Sequence, residues 1–127
     1  MPGLDLTFHR AIDLTRDIKA SARRAEELGF TRLLTSGGAS TALLGAALIA
    51  ELVNDLELTV MPGGGISEEN MAEVMEITKA VEFHASARER KESLMVWRNN
   101  NCSLGNTFLP REYSIFSGVL TKAVASY

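Results

Sequence analysis

The chain has 127 residues, 46% hydrophobic and 23% charged, with a formal net charge of −3. That length suggests one domain, and the composition excludes a disordered chain. No window reaches the roughly 18 unbroken apolar residues of a membrane span, the acidic balance speaks against a nucleic-acid surface, and Cys102, the sole cysteine, cannot form an intrachain disulfide.

Met1 to Asp5 lacks the basic region and apolar core of a secretory signal, so a soluble, intracellular protein is expected. The first predicted strand covers Leu4 to Ile12. A helix follows, capped by Thr15 or Asp17, with Ile18, Ala22, Ala25 and Leu28 on one face and Gly29 at its C-terminal end. The second strand, Thr31 to Thr35, ends in Ser36-Gly37-Gly38. Ser40 or Thr41 is the expected cap of the next helix, which runs to about Asn54 and is apolar on most sides. The third strand, Leu58 to Met61, leads into Pro62-Gly63-Gly64-Gly65. Ser67 is the expected cap of the third helix, with Ile66 and Met71 as a hydrophobic staple. The fourth strand is Ala80 to Ala85. A polar loop of about twenty residues then leads to Pro110, the expected start of a last helix with the stripe Tyr113, Phe116, Leu120 and Val124.

Regular alternation of short strands and helices predicts an α/β fold with parallel (β/α) units. An open doubly wound sheet and part of a barrel both fit. In the first strand Leu6 and Phe8 alternate with Thr7 and His9. In the fourth, Val81, Phe83 and Ala85 alternate with Glu82, His84 and Ser86. One apolar face with one polar, ionisable face favours a barrel, whose inner face points toward the active-site mouth, over a sheet covered by helices on both sides.

Gly63, Gly64 and Gly65, between a strand and a helix N-terminus, suit an anion cradle of unshielded backbone amides, and Ser36 with Gly37 offers a second. The glycines equally suit tight turns alone. His9, Arg10, Glu82 and His84 are the catalytic candidates. Glu82 and His84 share a strand face, so the carboxylate could orient the imidazole, and Arg10 could bind a carboxylate or phosphate. A buried hydrogen-bonded network is the structural alternative. Thr7, Thr35 and Ser86 are expected to line the cavity. No CxxC or HxxxH spacing exists, so the metal ligands are unknown. Met71 and Met75, one helical turn apart, read as core. Arg88, Arg90 and Lys91 alternate with Glu89 and Glu92 as a solvated charge run, and Cys102 reads as an incidental loop thiol.

The ordered segments Thr7-Phe8-His9-Arg10-Ala11-Ile12-Asp13, Leu33-Leu34-Thr35-Ser36-Gly37, Met61-Pro62-Gly63-Gly64-Gly65-Ile66, Glu82-Phe83-His84-Ala85-Ser86-Ala87-Arg88 and Arg98-Asn99 resemble the CutC copper homeostasis family, in a form closer to its eukaryotic members. The resemblance runs from about Leu6 to Asn99. It implies a TIM (β/α)8 barrel of which residues 1–127 form the C-terminal half, strands 5–8. It also implies a cytoplasmic or nuclear location and a role in copper binding, trafficking or tolerance. Copper(I) is the implied cofactor, with no site assignable here, because the family's proposed cysteine ligands have no counterpart and Cys102 does not match them.

Three functional readings follow: a copper homeostasis protein in truncated form, a TIM-barrel enzyme acting on a small anionic or phosphorylated substrate, and an inactive fragment that needs the missing N-terminal half. Four parallel strands do not close a barrel, and open sheet edges invite pairing. A homo-oligomer is therefore expected, with a small anionic ligand and no nucleic-acid or membrane partner.

Overall fold

The computed structural model describes residues 3–92, 94, 96–97 and 114–118. Two compact units are distinguished, Met1–Ala85 and Ser86–Tyr127.

The first unit is α/β, with three parallel strands in the spatial order β1 (Thr7–Phe8), β2 (Arg32–Thr35) and β3 (Thr59–Pro62), and three helices, α1 (Ile18–Glu27), α2 (Ala46–Asp55) and α3 (Met71–Thr78). Thr7 pairs with Arg32, and Arg32 in turn with Thr59. Alternation along the strands turns Phe8, Leu33 and Val60 toward the helices, with Leu33 and Val60 buried against Ile12, Ala22, Ile49, Leu52, Ile66 and Val74. Thr7, Arg32, Leu34 and Met61 take the opposite, more open face.

The first strand is much shorter than Leu4 to Ile12. It ends at Phe8 because His9 caps a 3-10 helix, Arg10–Leu14, by accepting the Ala11 amide on its Nδ1 at 3.1 Å. Thr15 closes that helix through its hydroxyl, which donates to the Ile12 carbonyl, and Asp17 is the cap of α1, accepting the Ala20 amide at 2.9 Å. Of the expected stripe, Ala22 and Ala25 are buried while Leu28 is exposed.

Regular helix in α2 begins at Ala46, later than a Ser40 or Thr41 cap implies. Thr41 instead holds a preceding turn, accepting the Leu44 amide. The delay has a steric cause. A Cβ on Gly45 would lie 1.9 Å from the Ser36 carbonyl oxygen, and one on Gly37 2.3 Å from the Gly45 carbonyl oxygen. The turn after β2 and the entry to α2 thus touch backbone to backbone.

Asn70, rather than Ser67, stands at the start of α3. Its side chain accepts the Ser67 amide and donates to the Gly65 carbonyl, fastening the glycine turn to the helix. Ile66 is buried and Met71 packs on the same core, so the two staple positions do meet the interior. No ladder forms over Ala80 to Ala85. That segment makes one parallel bridge to β3, between Gly63 and His84, with the His84 amide donating to the Pro62 carbonyl at 2.9 Å.

In the second unit, β4 (Arg88–Glu92) pairs antiparallel with β5 (Ser114–Gly118). The charge run is therefore a strand rather than loop, and Ser114–Gly118 is strand where a helix was expected, in keeping with the β-prone pair Ile115 and Phe116. The remainder of that expected helix, including Leu120 and Val124, lies outside the described residues, as do Arg98, Asn99 and Cys102. Among the described residues no helix is long and apolar enough to cross a membrane.

Gly45 is the N-cap of α2, a position where glycine is favoured over alanine. With the Ser36 contact added, Gly45→Ala is expected to lose about 1–3 kcal/mol from overpacking, measurable as a lower urea midpoint.

Candidate functional site

Apart from ion pairs such as Lys19–Glu51, Arg23–Asp55 and Arg24–Glu27, two clusters of ionisable groups lie at the sheet. The first gathers at the C-terminal ends of the strands around Asp13, whose side chain is 6% exposed. Its Oδ1 accepts the Thr35 hydroxyl at 2.5 Å, with the Ser36 and Gly38 amides each at 3.1 Å. Its Oδ2 accepts the Ser36 amide at 3.0 Å and Arg10 Nε at 2.9 Å. Ser36 Oγ sits 3.0 Å from the same oxygen, accepts Arg10 Nη2 at 2.8 Å and lies 2.6 Å from the Ala39 carbonyl. The Gly37 amide donates to the Thr35 hydroxyl.

The turn Ser36-Gly37-Gly38 is thus an anion cradle already filled by the protein's own carboxylate. Burial works to raise the Asp13 pKa, but the hydrogen bonds from Thr35, Arg10, Ser36 and Gly38 outweigh it and hold the carboxyl below the ordinary value of 3.8. Thr35, expected on a cavity wall, is completely buried with its hydroxyl on Asp13.

Arg10 is the exposed member of the cluster, with 43% of its side chain accessible. Its guanidinium lies beside the second glycine turn: a Cβ on Gly64 would meet Nη1 at 3.1 Å and Cζ at 3.3 Å. Gly64 has φ +109°, a conformation suited to glycine, and its carbonyl accepts the Ala42 amide at 2.8 Å. Gly63 leaves room for Leu34 Cδ1, which a Cβ there would approach to 2.4 Å, and stands next to the His84 Cβ. His9 is exposed. Its Nδ1 is committed to the Ala11 amide, so the neutral ring carries its proton on Nε2.

The second cluster crosses the open face of the sheet. Glu82 accepts Arg32 Nε at 2.5 Å and Nη2 at 3.2 Å, and Arg32 Nη1 reaches the Thr7 hydroxyl at 3.5 Å. The Arg32 contact holds the Glu82 carboxyl below its usual range and the Arg32 guanidinium above its own. The carboxylate that sequence spacing assigned to His84 is therefore engaged by an arginine, and His84 is exposed. Ser86 is exposed and belongs to the second unit.

Two residues here escaped the sequence reading. Asp13 follows Arg10 by three, a helical spacing that spans the end of the predicted strand, and that spacing is the signal that could have found it. Arg32 shares the strand-face phase of Thr7 and Glu82, but its pairing with Glu82 depends on three-dimensional register.

Comparison with known proteins places this geometry in context. The CutC family's sequence model matches residues 1–89. The copper homeostasis protein cutC homologue of Mus musculus is 41% identical over 121 residues, 94% of this chain and 44% of that protein, with the same figures for the Homo sapiens homologue. A family protein CutC of Parabacteroides distasonis is 42% identical over 112 residues, 87% of this chain and 46% of its own length. The chain spans a little under half the length of these relatives.

The folded-state pKa of Asp13 lies below the unfolded one, so its contribution is complete above the unfolded value of roughly 3.9 and is lost as pH falls through the folded value. Asp13→Asn is expected to cost about 1–3 kcal/mol at neutral pH, and denaturation at stepped pH should show the gap to the parent closing in acid. A separate carboxyl titration by NMR should find the Glu82 pKa rising back toward its ordinary value in Arg32→Ala.

Proposed function

The chain belongs to the CutC family, and from that premise we propose that it takes part in copper homeostasis. The observation that carries this is the extended identity to the mouse and human proteins named for that role, 41% across 94% of the chain. The three neighbouring parallel strands, helix-covered on one face and open and partly polar on the other, support a finer reading as consecutive strands of a (β/α)8 barrel. The chain spans 44–46% of the relatives' length, in keeping with about half of such a barrel, and we read it as the C-terminal half.

Copper enters this reading as cargo. Among the described residues no three His, Cys, Asp or Glu side chains come together as a metal-ligand group, and one nitrogen of His9 is already an acceptor. The described residues do not fit a copper centre. Copper(I) prefers soft sulfur ligands, and Cys102 is the sole thiol of the sequence.

An anaerobic Cu(I) titration of the full chain against a competing chelator tests the reading, with Cys102→Ser alongside. Copper withdrawn from the chelator by the full chain is the expected result, with the variant as the control for the sole thiol. A chelator that keeps all its copper overturns it.

A further inference from the structure

We propose that Arg10, held by Asp13 and Ser36 at the rim of the Gly63–Gly65 turn, is the anchor of a binding site for a small oxyanion. This stands independently of the copper reading.

A guanidinium presents two hydrogen-bonding edges. Asp13 Oδ2 and Ser36 Oγ take up the edge formed by Nε and Nη2. The other edge, Nη1 with the second proton of Nη2, has no acceptor on Nη1 among the described residues. That edge matches a carboxylate or phosphate in bidentate fashion. The side chain reaching it is 43% exposed, so a solute can approach.

The internal carboxylate does not cancel this edge. Asp13 draws donors from Thr35 and from the Ser36 and Gly38 amides as well as from Arg10, so its charge is compensated from several sides. Arg10 acts chiefly as a group being aimed, and fixing both its Nε and Nη2 removes the rotamer freedom that binding would otherwise cost. Gly64 completes the geometry. A Cβ there would lie 3.1 Å from Nη1 and 3.3 Å from Cζ, so glycine lets the turn lie beside the guanidinium with no side chain pressing on it. Asp13 is a positioning residue in this scheme and touches no ligand.

The test is an NMR titration of the 15N-labelled full chain at fixed pH and ionic strength, with inorganic phosphate in one series and acetate in another. The expected result is saturable movement of the Arg10 Nε–H and of the Gly64 and Gly65 amides. Arg10→Gln, a half-exposed position, should weaken it about tenfold or more. Saturation by phosphate alone assigns the site to phosphate esters, and saturation by acetate as well assigns it to carboxylates too. Saturation by neither, or equal affinity in a folded Arg10→Gln, overturns the proposal. Should that variant unfold, the parent's shift map decides: movement confined to residues away from Arg10, Gly64 and Gly65 overturns it as well.

Discussion

A carboxylate that is almost entirely shielded from water has to find its hydrogen bonds inside the protein, and Asp13 finds them on three stretches of chain. One is its own 3-10 helix, through Arg10. Another is the end of β2, through Thr35. The last is the turn that follows, through the amides of Ser36 and Gly38. The first strand can then be only two residues long, because the chain must turn immediately to bring Asp13 back over the end of β2. The turn after β2 is shaped around a negative charge and so rests against the entry to α2. The geometry of the strand ends follows from satisfying this one group.

The two glycine turns consequently differ in kind. Local sequence makes them look alike, each being a strand end with small residues ahead of a helix. The first spends its backbone donors on an internal acid and on the Thr35 hydroxyl. The second is tied down through its carbonyls, Gly64 to Ala42 and Gly65 to Asn70, and borders an arginine. The polar face is likewise split. Arg32 and Glu82 satisfy each other across the middle of the sheet, while Arg10 and the two histidines lie toward the strand ends.

Where a structural decision is local, the sequence discloses it. Asp17 caps α1, the second and third strands fall within a residue or so of their expected positions, and the alternation of Thr7 with Phe8 in the first strand identifies the face that packs on the core. Decisions that require partners distant in sequence are hidden. The truncation of β1 depends on where Asp13 binds, more than twenty residues along the chain. The late start of α2 depends on the Gly37–Gly45 approach. The strand at Ser114–Gly118 depends on pairing with Arg88–Glu92, which outweighs the helical spacing of Tyr113 and Phe116. The candidate site shows the same division: Arg10 and the glycines stand out by type and the spacing of Asp13 to Arg10 is local, but the bonds of Asp13 to Thr35, Ser36 and Gly38 emerge only once the strand ends are assembled.

The pairing pattern of the sheet also bears on how its stability is composed. Thr7 pairs with Arg32 and Arg32 with Thr59, and Gly63 bridges His84, so each parallel contact skips one strand–helix repeat of similar length. Closure entropy grows only with the logarithm of the loop, so each successive repeat joins at nearly the same entropic cost. Their buried side chains, such as Leu33 from one strand and Val60 from the next, enter one shared core with Ile12, Ile49 and Val74. Cooperativity therefore resides in packing common to the repeats, and removing one of them would expose apolar side chains of the others.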